Sequence, residues 1–182
     1  IGQWIRRNGR YSEPAWLPHV MARRLANIFC HGRLVIINSE LSWRWRLFVS
    51  LREQVRMLER ISQEAPDGLP RLEAAAVLAL SGICLDDSER RLQTGLQRLE
   101  TELARQILPD GGHVTRSPEA PLCAYRLVVM VLEALGAVGQ EPPHVVRNAH
   151  DRMAPMLRFF RHGDGALALF NGGGECDPRL VA

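Results

Sequence analysis

The chain has 182 residues, 46% hydrophobic and 24% charged, with a formal net charge of +3. That length buries one sizeable core, so one domain is the default, and the composition is ordinary for a globular protein. The charge comes wholly from arginine, with no lysine anywhere. Genome base composition also produces this usage, so it gives little reason to expect nucleic-acid binding; an arginine-rich surface would equally suit an anionic sugar polymer.

No apolar run reaches the length of about 18 residues that a membrane span needs, and no signal-peptide pattern opens the chain. Cys30, Cys84, Cys123 and Cys176 are widely spaced without a CxxC pair. That spacing argues against zinc, and the first three fall in apolar helical contexts. No metal or other cofactor is expected. The chain opens on Ile1 and stops just after a strand-like run, which reads as a fragment cut at both ends. Periplasmic, cell-envelope and cytoplasmic locations all stay open, as does the oligomeric state.

Residues 1–18, with Trp4, Pro14, Trp16 and Pro18 among arginines, read as the tail of an earlier element and a proline-punctuated loop whose tryptophans cover the edge of the core. From His19 to about Ile37, Val20, Leu25, Ile28, Phe29 and Ile36 recur at three- and four-residue steps, which predicts one helix. Asn38-Ser39 breaks it. A longer helix spans Leu41 to Ile61, with Trp45, Phe48, Leu51, Val55 and Leu58 as its packed stripe and arginines on the solvated face. After the loop Ala65-Pro66-Asp67-Gly68, a helix from Leu69 or Pro70 to about Leu85 is small or aliphatic nearly all round, the pattern of an inner helix. Glu73 is its lone carboxylate, either a candidate acid or the partner of a nearby arginine.

Asp86-Asp87-Ser88 reads as the cap of a helix from Glu89 to Ile107, striped by Leu92, Leu96, Leu99 and Leu103. A fifth helix runs from Pro118 to about Val138. A sixth opens at Pro142-Pro143 and reaches Phe160, with Pro155 as a kink or a mark of its last turns. Gly163-Asp164-Gly165 is a turn, and Ala166 to Phe170 has the length and apolarity of a strand. Six helices with short loops predict antiparallel helical hairpins, although periodicity does not separate a bundle from a toroid.

The segment from Ile107 to Pro118 carries most of the chemistry. Leu108-Pro109 ends a helix, Asp110-Gly111-Gly112 supplies a tight turn, and Ser117-Pro118 reads as N-cap and first helical residue. Between them sit His113 and Arg116. His113 could titrate near neutral pH as base or acid, or could hold the turn shut through loop carbonyls. Arg116 could grip a sugar carboxylate, or could bridge Asp110 or a helix C-terminus. His162, before Gly163-Asp164-Gly165, reads either as part of a charged site or as the cation that a helix end favours.

Asp-Gly-Gly-His followed closely by Arg-Ser-Pro resembles the signature of the heparinase II/III-like proteins, a polysaccharide lyase superfamily. Residues Asp151 to Gly165 resemble the end of the helical domain in the bacterial branch of that family, and Ala166 to Gly172 its first following strand. The resemblance implies an all-α fold of antiparallel helical hairpins forming part of an incomplete (α/α) toroid. The first strand of a β-sandwich domain would follow at the C-terminus. The division would be 1–162 for the toroid and 163–182 for the junction and sandwich start.

In function, the resemblance implies a lyase or lyase-like protein acting on acidic, uronic-acid-containing polysaccharide by β-elimination. The alternative is an inactive relative that binds glycan or a protein partner, or a helical interaction scaffold. The family's Asn-His pair at the inner helix and its tyrosine after Arg-Ser-Pro are replaced here by Leu69-Pro70 and Glu119-Ala120-Pro121. Leucine cannot polarise a carboxylate and alanine cannot carry a proton. The candidates that remain are His113 as the catalytic residue and Arg116, Asp110 and His162 for substrate, with acidic polysaccharide as partner.

Overall fold

A computed structural model describes residues 1–9, 11–85 and 89–174. The expected cap at Asp86-Asp87-Ser88, and Cys176, lie outside those residues. The described helices are α1 (Gly2–Asn8), α2 (Pro18–Cys30), α3 (Gly32–Ile36), α4 (Leu41–Ile61), α5 (Leu69–Cys84), α6 (Glu89–Gln106), α7 (Glu119–Ala137) and α8 (His144–Phe160), with a 3-10 turn at Ser62–Glu64. The fold class is all-α. The chain divides into two compact units, Ile1–Leu96 and Gln97–Ala182, with the boundary inside α6.

The first unit is built on α5. Ala74, Ala76, Val77, Leu78 and Ala79 are fully buried on successive sides of this helix, as its composition predicts. Small side chains let other backbones approach closely: a Cβ on Gly82 would lie 2.6 Å from the Leu92 main-chain nitrogen. Helices α2 and α4 pack on α5. The buried face of α2 is Met21, Ala22, Leu25 and Ala26, one helical turn apart in pairs.

Three expectations are corrected in this unit. The single helix over 19–37 is two helices, because His31 leaves helical geometry at φ −109° and ψ 17° and the chain restarts at Gly32. Residues 2–8, expected as a tail, are helical. Trp45 is 70% exposed and Phe48 is also exposed. The buried face of α4 runs through Leu47, Ser50, Leu51, Gln54, Val55 and Leu58, and Trp45 lies about 200° round the helix from Leu47 at 3.6 residues per turn. Trp16 does cover the core edge, its indole N–H donating to the Asn8 carbonyl at 2.9 Å. Glu73 takes the arginine expected of it, Arg23, through contacts of 3.3 Å at both carboxylate oxygens.

In the second unit α7 and α8 form a hairpin. Val128, Val131, Leu135, Val146, Ala149 and Met153 are fully buried, and Leu122, Leu157 and Leu167 form a further cluster with Tyr125 and Phe160 against it. By length and composition α7 could cross a membrane, a test that the core helix of a soluble protein also passes. Pro155 does not end α8, which continues to Phe160. The segment expected as a strand is joined to the helix end by one antiparallel bridge, Arg161 with Leu167, and no strand forms among the described residues.

Candidate functional site

Helix α6 ends at Gln106, and the chain folds back on itself at once. Leu108 N–H donates to the Gly112 carbonyl at 2.8 Å, Gly111 N–H to Leu108 at 2.9 Å, and Val114 N–H to Gln106 at 2.9 Å. Ile107 and His113 form an isolated antiparallel bridge across the turn. Gly111 has the positive φ the turn needs, +84°, and a side chain there would run into the Arg152 carbonyl of α8. Helix α7 starts one residue later than expected: Pro118 takes the cap position, without a side-chain capping bond.

His113 is 1% exposed. Its Nδ1 accepts the Thr115 main-chain N–H at 3.2 Å and lies 2.9 Å from the Thr115 hydroxyl. Its Nε2 lies 3.0 Å from Gln106 Oε1. An amide oxygen only accepts, so this arrangement fits the neutral ring with its proton on Nε2. Gln106 in turn donates to Glu102 Oε2 at 2.7 Å, and Arg105 approaches the other Glu102 oxygen at 3.3 Å. Burial pushes the His113 pKa down. A ring held at both nitrogens exchanges a proton with a ligand only by giving up one of these bonds.

Above it on the surface, Arg116 Nη1 donates to Asp110 Oδ2 at 2.8 Å, while Asp110 Oδ1 accepts the Gly112 N–H at 2.9 Å. The Gly112 N–H, and after it the Arg116 guanidinium, hold the Asp110 carboxyl below its ordinary value. The Arg116 side chain is 59% exposed. Its backbone is left-handed, φ +57°, fixed by its N–H donating to the His113 carbonyl at 2.8 Å and by its carbonyl accepting from Asn171 Nδ2 at 3.1 Å. Glu119 Oε2 likewise accepts the Gly174 N–H at 2.7 Å. The chain after α8 therefore returns to this loop.

Asp110, His113 and Arg116 thus come together in one loop. His162 lies apart from them in contacts: it is exposed, its main chain bonds Ala166 at 2.8 Å and Gly165 at 3.0 Å, and no described contact joins its side chain to the other three. Asp164 Oδ1 accepts the Ala166 N–H at 2.9 Å, which closes that turn. Ala120 is buried in the first turn of α7. Among the described residues no three His, Cys, Asp or Glu groups are placed to hold a metal.

Sequence reasoning missed one chemical cluster. Tyr125 of α7 and His150 of α8 stack with ring centroids 5.0 Å apart, and the tyrosine hydroxyl lies 3.0 Å from His150 Nε2. His150 Nδ1 lies 2.9 Å from Asp151 Oδ1. No spacing in one helix announces such a chain, because its members come from two.

No family model matches the chain. It is 32% identical over 184 aligned residues to FtsZ-localized protein C of Caulobacter vibrioides, with the whole chain aligned to 31% of that protein. Among solved structures it is similar to heparinase III, with a TM-score of 0.75 at 19% identity, over 90% of this chain and 26% of that one. It is also similar to a heparan sulfate lyase HepC mutant from Pedobacter heparinus, with a TM-score of 0.70 at 22% identity, over 93% of this chain and 28% of that one. The chain spans about a third of the length of these proteins or less. The two structures show its fold, that of a segment of a lyase's helical toroid.

Proposed function

We propose that this chain is a segment of a heparinase II/III-like protein that binds an acidic, uronic-acid-containing polysaccharide without cleaving it by β-elimination. The observation that carries the reading is the sealing of His113: its two nitrogens are committed to Gln106 and Thr115, which suits a residue that shapes the loop. Leu69 and Ala120 stand where the resembling family has a carboxylate ligand and a proton carrier, and they point the same way. Arg116, exposed and already oriented by Asp110, is the group for a uronate carboxylate. Asp110 keeps it in place, and His162 adds an exposed ring for a sugar hydroxyl. The domain division belongs to the same proposal, with 1–162 as toroid and 163–182 as junction and sandwich start.

The test pairs two measurements on a panel of alginate, polygalacturonate, hyaluronan and heparan sulfate. Calorimetry is expected to show salt-sensitive binding to at least one polymer, weakened by Arg116→Gln, while the absorbance of the unsaturated uronate stays flat. A rise in absorbance that His113→Ala abolishes would make the protein a lyase with a reassigned base. Absence of binding to every polymer would remove the glycan reading.

A second reading is favoured by the similarity to an FtsZ-localized protein along the whole chain. In it the lyase fold serves as a protein-interaction scaffold at the division apparatus. Direct binding to purified FtsZ, unaffected by Arg116→Gln or by added polysaccharide, would favour this reading over the first.

A further inference from the structure

The first unit contains a cavity of about 700 Å³, within the size range of small-molecule sites. Its walls are mainly apolar, formed by Trp4, Ile5, Val20, Ile28, Val35 and Leu47 from four helices. Two lining residues carry buried polar atoms without a partner, Arg24 Nη2 and His19 Nδ1. The rest of the Arg24 guanidinium is held firmly. Nε donates to Gln54 Oε1 at 2.8 Å, Nη1 donates to the Ala15 carbonyl at 2.8 Å, and the group lies 4.0 Å over the Trp4 ring.

Among the described residues no carboxylate neutralises Arg24. Glu73, the acid in the lining, is engaged by Arg23. Burial pulls the Arg24 pKa down to about 10, so the group stays charged at neutral pH while one of its donors, Nη2, is buried without an acceptor. A buried donor left without an acceptor is costly, which is why such groups in folded proteins usually meet water or a ligand.

We infer that this cavity binds a monoanionic carboxylate with an apolar body, of fatty-acid type, its carboxylate on Arg24 Nη2 and His19 and its hydrocarbon along the apolar wall. One uncompensated cation matches one negative charge. A phosphate dianion would bring a second charge, and the other arginine of the lining, Arg23, is already on Glu73; a polyanionic sugar would find mainly apolar walls where it needs donors.

The experiment is calorimetric titration with decanoate, decanol and decyl phosphate, each below its micellar concentration. Decanoate is expected to bind, with decanol weaker by about tenfold or more, the scale of one charged hydrogen bond, and decyl phosphate no tighter than decanoate. Val20→Trp, which fills the cavity one turn away from Arg24 while keeping that residue, should abolish binding in a chain with unchanged helical circular dichroism. Arg24→Gln should bring decanoate down to the level of decanol. Equal affinity for decanoate and decanol, tighter decyl phosphate, no decanoate binding up to millimolar concentration, or full binding by folded Val20→Trp would each overturn the inference.

Discussion

His113 Nε2 lies 3.0 Å from Gln106 Oε1 while Nδ1 takes the Thr115 N–H, so one imidazole ties the last residue of α6 to the far arm of the loop that follows it. The bond pattern matters more than the residue's titrating range. Protonation of Nδ1 takes away the acceptor of the Thr115 N–H and leaves the new donor only the Thr115 hydroxyl oxygen, inside a site with almost no solvent.

That relationship sets a pH dependence with a definite sign. Burial holds the folded-state pKa of His113 below its ordinary value of 6.5. On acidification the unfolded chain therefore takes up the proton first. The stability from the neutral ring is complete above the unfolded pKa and is lost as pH falls from there toward the lower folded value. Urea midpoints measured near pH 7.5 and near pH 5.5 should drop for the wild type, and drop less for His113→Gln. An equal drop in both proteins would assign the acid sensitivity to other groups.

Arg116 separates backbone from side chain. Its ion pair with Asp110 is solvent-exposed, and such pairs contribute about 0–1 kcal/mol. Its φ of +57° is a conformation that β-branched residues resist. Arg116→Val should therefore cost about 1–2 kcal/mol, whereas Arg116→Gly, which loses the ion pair but fits the backbone, should stay within about 1 kcal/mol of wild type. Thermal unfolding of both checks this. If the glycine variant is as unstable as the valine one, the ion pair holds the loop.

Gly111 tests how closely that loop sits on α8. Its φ is +84°, and a Cβ would collide with the Arg152 main-chain carbonyl, which cannot rotate away. Gly139 also has a positive φ, +68°, but open space around it. Gly139→Ala should cost about 1 kcal/mol from strain alone, and Gly111→Ala at least about 2 kcal/mol more through the clash. Chemical denaturation of the two variants gives the difference directly. Equal losses would show that the loop yields easily.

How far the sequence discloses this protein depends on how local each feature is. The leucine stripe of α6 and the all-round small residues of α5 report burial through one periodicity, and both helices stand where that periodicity puts them. In α4 apolar residues occupy two faces, so periodicity carries the expected stripe out to Trp45 and Phe48, while the packed face shares its Leu51, Val55 and Leu58 and continues through Leu47. The break at His31 follows from a local departure in φ and ψ that residue types do not announce. In the site, the composition of the turn singles out Asp110, His113 and Arg116. Their partners are a different matter: Asn171 reaches Arg116 from 55 residues away, and Tyr125 reaches His150 across 25.

The last prediction concerns two helical glycines, where one substitution type should change sign with position. Glycine inside a helix is about 1 kcal/mol worse than alanine, so Gly→Ala stabilises wherever there is room. At Gly136, near the end of α7, an added Cβ would meet no heavy atom within 4 Å beyond its chain neighbours and the backbone of its own helix. Gly136→Ala should gain up to about 1 kcal/mol, less any fraying at the helix end. Gly95 is also helical, but its Cβ would press into the main chain of Ala79 and come within 2.8 Å of the Leu78 carbonyl carbon in α5. Backbone in a buried helix moves only by shifting the whole helix, and overpacking of this kind costs about 1–3 kcal/mol or more. The clash outweighs the propensity gain, so Gly95→Ala should be destabilised by about 1–2 kcal/mol net. Urea unfolding of the two variants, followed by helical circular dichroism, reads both signs. A stabilised Gly95→Ala would mean that α5 and α6 are not in the close contact that the small residues of α5 imply.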